Sequence, residues 1–534
     1  MEEIGGEIKT PSDEKDVQNR KGRLKKLCLG WIKDNYDKIF LAVLILAFII
    51  RIWIFFKTMN QPFWWDEADY LSAAKKWAGI NPHLVDIWYY RRGFLWALVG
   101  ALLFKIGIGE IGIRFLVLIL STGIVAVSYF IIEKMFNKKI ALLTSLALSA
   151  SWIYLFFTGR VLTDIPSAFF ILLALLFFWK GYVLKEGNKF IYLFGLSFGI
   201  AILIRMQSFL FAFPFLIYIF TKEKFKMFKN KHLWIALGIF ALLFIPQMIM
   251  YAMHYGNPVT DILGHYFGIK GIASNGEYIQ RTSTTLFAYF VNLPYIMGGQ
   301  YNLGLIFFFL LIIGAGIFLL DLILGLDKLF KNEEIQKKFF ILLWIIIPFL
   351  VLGYITDYVE QRYVSADLVF LFFIAILPLM KLEDYLSKKE KIGKKKSFII
   401  IFIIVLLLLI PNVIWGNKLT EGKMTSYAEI QQAGLWIREN SELSDLVITA
   451  SRPQIIYYAE RSVQSSDPAV WDNATYFESL VNELKPRYLV LSSYEQSPEW
   501  IYNYPQENPD KLVPVKVYYQ NEQPIVVVYE FKYN

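Results

Sequence analysis

Asp66 and Glu67 stand side by side in Trp64-Trp65-Asp66-Glu67-Ala68, a few residues past the first long apolar run of the chain. Two adjacent carboxylates beside a membrane helix are costly to hold at a lipid surface unless they bind or react with something. A carboxylate of ordinary pKa can take the proton of a hydroxyl nucleophile while a leaving group departs. The structural alternative is that the pair caps an interfacial helix over Asp69–Trp77. Basic partners lie at the ends of other apolar runs: Arg91-Arg92, Arg160 with Asp164, Arg205 and Arg362. Arginine stays charged and grips phosphate with a planar fork, so arginines beside lipid suit a phosphate carried on a lipid. Thr163 or Asp164, followed by Pro166, also reads as an ordinary helix start.

The elements that must position these residues are membrane spans. The chain has 534 residues, 56% hydrophobic and 19% charged, with mean hydropathy +0.45. That is a polytopic membrane protein. A net charge of +9 then fits loops facing an anionic leaflet better than it fits nucleic acid. A single cysteine, Cys28, excludes an internal disulfide. Residues 1–38 are polar and basic and are expected to form a cytoplasmic tail. Spans are expected at about 39–56, 111–132, 140–158, 166–184, 190–204, 206–220, 233–252, 303–325, 338–355, 363–380 and 397–415, about eleven in all. Their interiors carry almost no ionisable residues.

The run Gly93–Phe104 is too short to span and reads as interfacial. With it left out, the lysine-bearing loops at 133–139, 185–189, 221–232, 326–337 and 381–396 all fall on the cytoplasmic side, as the positive-inside rule requires. Every candidate site residue then falls on the external face. The expected organisation is a cytoplasmic tail at 1–38, an all-α transmembrane domain at 39–415 and a small extracytoplasmic α/β domain at 416–534. In that last part, strands are expected at Leu446–Thr449, Tyr488–Leu491, Leu512–Tyr518 and Ile525–Phe531, with helices at Tyr427–Glu439 and Ala474–Leu484. Asn473-Ala474-Thr475 matches a glycosylation acceptor pattern. His83, His254 and His265 lack metal-ligand spacing and read as loop histidines.

Over about residues 39–380 the chain resembles the C-type integral-membrane glycosyltransferases (GT-C), in particular the protein mannosyltransferase and aminoarabinose transferase branch that uses polyprenyl-phosphate sugars. The likeness rests on the Asp66-Glu67 pair after the first span, the interfacial run 93–104 and Thr163-Asp164-Ile165-Pro166. It rests also on Arg205 before a Phe/Leu/Pro-rich helix, and on Glu360-Gln361-Arg362-Tyr363. Family members often carry a Pro-Pro pair where this chain has Tyr90-Arg91-Arg92-Gly93.

The resemblance implies a plasma-membrane enzyme that moves a sugar from a polyprenyl (dolichyl) phosphate to a hydroxyl of a glycan, protein or lipid acceptor, with inversion. Asp66 would be the base, with Glu67 or Asp164 orienting the acceptor. Arg205, Arg362 and Arg160 would hold the donor phosphate, with Arg91, Arg92 and Tyr363 as further candidates. No residue demands a metal, although some relatives bind a divalent cation. The competing readings are a transporter or flippase of a lipid-linked sugar, which needs the arginines and no base, and an inactive scaffold.

Overall fold

The computed structural model describes residues 32–84, 88, 91–260, 286–300, 304–356, 358–390, 392–464, 471, 473–495 and 497–533. His265 lies outside them. The first long helix, α1 (Asn35–Thr58), starts where Asp34 accepts hydrogen bonds from the backbone of Tyr36 and Asp37 while Asp37 reaches back, a reciprocal cap that satisfies orphan amides. The interfacial helices α2 (Trp65–Trp77) and α3 (Leu95–Lys105) follow. Next come α4 (Gly109–Met135), α5 (Lys138–Ser149) and α6 (Trp152–Thr158), the last two bent by 51° at their junction. Helix α7 (Asp164–Phe178) runs on into a π-helical turn, Trp179–Val183. Helix α8 (Asn188–Ile204) ends at Arg205, whose backbone is extended. A 3₁₀ turn, Met206–Phe211, leads into α9 (Ala212–Glu223). The bundle is completed by α10 (Lys231–Tyr255), α11 (Leu305–Leu324), α12 (Glu333–Ile355), α13 (Leu368–Ser387) and α14 (Gly393–Gly422).

Seven of the described helices are long and apolar enough to cross a membrane, eight when the bent pair α5–α6 counts as one. The other expected spans fall on the 17-residue α8, on α9 with its 3₁₀ lead, and on α13. The run expected from 363 begins instead as a 3₁₀ turn, Gln361–Val364, and α13 starts at Leu368.

The expected near-absence of ionisable groups inside the spans needs correction. Arg51, Arg114 and Asp367 lie within them and are 0%, 3% and 0% exposed. The two arginines are held by internal oxygen acceptors. Arg51 donates to Ser121 Oγ at 2.8 Å and to the carbonyls of Ala47 and Ser149, each at 3.1 Å. Arg114 donates to the carbonyls of Gln61 at 2.8 Å and Gly159 at 3.2 Å, tying together two loops that flank the site.

Small residues set the helix spacing. A Cβ on Gly195 would lie 2.3 Å from Ala236 O, so α8 and α10 touch backbone to backbone, as membrane helices do where small residues line the contact. The lysine-bearing turns gather at one end of the bundle: Lys138 pairs with Asp37 at 2.5 Å, Lys139 with Glu383, and Lys337 donates to Met135 O at 3.1 Å. The loops bearing Asp66, Asp164, Arg205 and Arg362 gather at the other.

The polar C-terminal region is a five-stranded sheet ordered β2-β1-β3-β5-β4. Its strands are β1 (Leu446–Thr449), β2 (Ser462–Gln464), β3 (Tyr488–Ser492), β4 (Leu512–Gln520) and β5 (Gln523–Phe531). The first three are parallel; β5 runs antiparallel to β3 and pairs with β4 as a hairpin. Helices α15 (Ala428–Glu439), α16 (Arg452–Ala459), α17 (Ala474–Leu484) and α18 (Glu499–Glu507) cover it. Asn473 caps α17 through its side chain, accepting from Thr475 N at 2.9 Å and Tyr476 N at 3.2 Å. The region docks at the same end of the bundle as the arginine-rich loops. Tyr458 Oη accepts from Phe63 N at 2.8 Å, and Lys75 meets Glu460 at 2.9 Å with its ammonium 4.1 Å from the Tyr457 ring centre.

Candidate active site

Asp66 lies in the first turn of α2, Asp164 is the first residue of α7, Arg205 ends α8, and Arg362 sits in the 3₁₀ turn before α13. All four meet. Arg362 Nη2 donates to Asp66 Oδ2 at 3.3 Å, and its Nη1 is 3.8 Å from Asp164 Oδ2. Arg205 Nη1 is 3.1 Å from Asp164 Oδ1 and donates to Thr163 Oγ1 at 3.0 Å. Arg92 Nη2 donates to Asp66 Oδ1 at 3.0 Å. Arg362 thus bridges two carboxylates, with Arg92 and Arg205 on the flanks. Tyr363 backs both inner guanidinium groups, its ring centre 4.6 Å from Arg205 Cζ and 5.4 Å from Arg362 Cζ.

Gly93 explains how two of these loops come so close. A Cβ there would lie 2.2 Å from Leu203 O, so only glycine lets the loop after Arg92 press against the end of α8, two residues before Arg205.

Other predicted residues are placed apart from this network. Glu67 is fully buried and its oxygens are committed: Oε2 accepts from Trp64 N at 2.7 Å and Oε1 from Val161 N at 2.5 Å. Arg160, 1% exposed, faces Glu67 Oε2 at 3.4 Å and lies 3.9 Å over the Trp64 ring. It also donates to the carbonyls of Pro62 at 3.3 Å and Lys423 at 3.0 Å. Helical geometry separates the two neighbouring acids, since consecutive side chains point about 100° apart. Arg91 stacks 4.1 Å over the Tyr255 ring. His83 contacts Glu460 O at 2.9 Å and His254 contacts Met250 O at 2.8 Å.

Two residues to which the sequence assigned no role also join the network. Asp69 Oδ2 meets Arg92 Nη1 at 2.9 Å; its spacing of three from Asp66 puts both on one helix face, a signal present in the sequence. Glu360 Oε2 meets Arg362 Nε at 3.3 Å.

Burial pushes the Asp66 carboxyl up, but Arg92, Arg362 and Arg205 outweigh it and hold it below the usual carboxylate range. At Asp69 and Glu360 burial prevails over the nearby arginines and raises the carboxyls. The arginines therefore favour the ionised form of Asp66, while burial disfavours it at Asp69 and Glu360. Among the described residues no group of three or more His, Cys, Asp or Glu side chains is placed to hold a metal ion.

A small cleft of about 30 Å³ opens on Asp164, Arg205 and Arg362. Ile171, Leu210, Phe211, Pro348 and Leu352 form its apolar walls. The lining sets a cationic end against apolar walls, the polarity that suits a ligand with an anionic head and a hydrocarbon body.

Residues 92–250 match the family model described as dolichyl-phosphate-mannose-protein mannosyltransferase. No curated protein sequence matches the chain. Among solved structures the fold is similar to ArnT from Cupriavidus metallidurans bound to undecaprenyl phosphate, with TM-score 0.61 and 14% identity over 94% of this chain and 98% of that one. It is also similar to the Archaeoglobus fulgidus oligosaccharyltransferase tethered to an acceptor peptide, with TM-score 0.59 and 15% identity over 87% of this chain and 70% of that one. The archaeal enzyme AglB from the same organism, in complex with an inhibitory peptide and a dolichol-phosphate, gives TM-score 0.58 and 14% identity over 86% and 70%.

Proposed function

We propose that this chain, which has the GT-C fold of membrane glycosyltransferases, transfers a sugar from a polyprenyl phosphate to an acceptor hydroxyl at the external membrane face. The observation that carries the reading is the convergence of Arg205 and Arg362 at the polar end of an apolar cleft. The phosphate of the donor meets the two guanidinium groups, and its hydrocarbon chain follows the apolar walls. The comparisons support a lipid-linked donor: one relative of this fold is solved with undecaprenyl phosphate and another with a dolichol-phosphate.

The reaction is a single displacement. The acceptor oxygen forms a bond to the anomeric carbon as the bond from that carbon to the phosphate oxygen breaks. The proton of the acceptor passes to Asp66, and the bonding pair leaves on the phosphate. Negative charge grows on the departing oxygen, where Arg205 and Arg362 stabilise it more in the transition state than in the ground state. Asp66 is a weak base in the free protein because of its arginines. Proton transfer therefore comes late, when the acceptor hydroxyl has become acidic through bonding to the sugar. Asp164 holds the two inner arginines apart and in register. Glu67 and Arg160 are positioning residues: they fix the start of α2 and hence the direction of Asp66. Attack opposite the leaving phosphate inverts the anomeric centre.

The external placement of the site is supported by charge: lysine-bearing turns occupy the opposite end of the bundle, as expected of a cytoplasmic surface. The direct test offers the purified protein radiolabelled undecaprenyl-phosphate sugars with a hydroxyl acceptor. Transfer to the acceptor with release of undecaprenyl phosphate is expected. Movement of intact donor across liposomes without release would support a flippase instead.

A further inference from the structure

Arg92 stands between two carboxylates of one helix. Its Nη2 donates to Asp66 Oδ1 at 3.0 Å, and its Nη1 meets Asp69 Oδ2 at 2.9 Å. Asp66 and Asp69 share a face of α2 about one turn apart, and the planar fork of a guanidinium reaches both. Tyr70 flanks the pair, its ring centre 5.4 Å from Arg92 Cζ. The backbone that carries Arg92 is pinned as well. Gln247 of α10, fully buried, donates through Nε2 to Arg92 O at 3.2 Å and accepts through Oε1 from Phe94 N at 3.3 Å. Gly93, between them, lies against the end of α8.

The arginines around Asp66 differ in what they face. Arg205 and Arg362 line the cleft, and Arg92 lies outside that lining. The two oxygens of Asp66 are divided accordingly: Oδ1 goes to Arg92, and Oδ2 goes to Arg362 at 3.3 Å. A phosphate in the cleft draws on Arg362 but leaves Arg92 on its two carboxylates. We infer, on the transfer reading above, that Arg92 is a positioning residue for the base: anchored by Asp69 and by the loop that Gln247 holds, it fixes Asp66 through Oδ1 and leaves Oδ2, on the side of Arg362, as the oxygen that takes the acceptor proton.

The charged and titratable groups facing Asp66 are Arg92, Arg362 and Arg205, with Asp69 and Tyr70 on its own helix and Glu360 beside Arg362. Against its burial, Arg92 and then the other two arginines hold the carboxyl low. Loss of Arg92 raises it, so turnover that needs the ionised carboxylate fails at a higher pH.

The test follows undecaprenyl phosphate release against pH for purified wild type, Arg92→Gln, Arg92→Lys, Asp69→Asn and the Arg92→Gln/Asp69→Asn double variant. The donor is the best used of undecaprenyl-phosphate mannose, glucose and galactose, and membranes of the protein's own cells supply the acceptor. Arg92→Gln should turn over about 10- to 100-fold more slowly, the scale for a displaced catalytic group, and the acid limb of its profile should move up by about one pH unit or more. Arg92→Lys keeps the charge and loses the fork, so its acid limb should return toward that of wild type while turnover recovers only in part. Asp69→Asn should slow the otherwise wild-type protein and add nothing to Arg92→Gln, because it acts through Arg92. Every variant should bind sugar-free undecaprenyl phosphate within a fewfold of wild type, which also shows that it is folded. An acid limb of Arg92→Gln at the wild-type position would overturn the assignment. So would a loss of undecaprenyl phosphate affinity as large as the loss of turnover, which would place Arg92 at the phosphate. A wild type that releases no undecaprenyl phosphate would contradict the transfer reading itself, and the assignment with it.

Discussion

Asp66 and Arg362 are 296 positions apart in sequence, yet Arg362 Nη2 donates to Asp66 Oδ2 at 3.3 Å. The contact joins the two halves of the proposed chemistry. The group that takes the proton of the acceptor is held by the group that receives the charge of the leaving phosphate. It also sets a cost: donor phosphate must share Arg362 with a carboxylate already in place.

The identity of the arginines should matter beyond their charge. Arg205→Ala and Arg362→Ala each remove a charged hydrogen bond to phosphate, a loss of about 1.5–3 kcal/mol. Lys at either position keeps the charge and loses the fork, so it should recover only part of that. Donor titrations of the four variants check this. Wild-type donor affinity in both alanine variants would remove these residues from the phosphate site.

Glu67 and Arg160 should report on stability rather than chemistry. Removing one partner of a buried pair strands the other charge, typically at about 3–5 kcal/mol. Glu67→Gln should lower the thermal midpoint in detergent markedly. Asp66→Asn, at a side chain still 32% exposed, should leave it nearly unchanged. Equal midpoints for the two variants would contradict the division of roles between these neighbours.

Gly93→Ala tests the packing that joins two loops of the site. The added methyl would meet Leu203 O at 2.2 Å, and backbone on one side or the other must shift. Arg92 and Arg205 then separate, and activity should fall more than tenfold with the protein still inserted. A fully active Gly93→Ala would show that this close approach is dispensable.

The docking of the C-terminal region should weaken only in acid. Glu460 is held below its ordinary value of 4.5 by Lys75 and by a hydrogen bond from Asn81, which outweigh its burial. A depressed carboxyl contributes stability that is complete above its unfolded pKa and is lost as pH falls through the folded one. Protease sensitivity of the C-terminal region should therefore stay flat from neutral pH down to about 4.5 and rise below it. Glu460→Gln should remove that part of the acid response. An identical rise in the variant would assign the response to other groups.

The cluster of Asp66, Asp164, Arg205 and Arg362 was legible in sequence because each is a charge at the end of an apolar run, and the lysine-rich loops put all those ends on one side. The same reasoning could not separate Asp66 from Glu67. It treated neighbours in sequence as neighbours in space, whereas a helix turns them about 100° apart. Arg160 was grouped with the phosphate residues for the same kind of reason, and the fold instead places it over Trp64 and beside Glu67. Glu360 entered only as part of the Glu360-Gln361-Arg362-Tyr363 motif and with no role of its own, because a single acid beside an arginine has no pattern. Strands β1, β3, β4 and β5 announced themselves through β-branched and aromatic runs. The three-residue β2 and the eight-residue α16, buried nearly all round, carry no period to read.

The central claim is that Asp66 takes the proton of the acceptor while a lipid phosphate leaves. It is tested most directly by comparing wild type with Asp66→Asn for release of undecaprenyl phosphate from a radiolabelled undecaprenyl-phosphate sugar in the presence of acceptor. Asparagine keeps the shape of the side chain, but it takes no proton. The account predicts donor binding within a fewfold of wild type and turnover slower by about 10²–10⁴. Turnover at the wild-type rate in Asp66→Asn would contradict it.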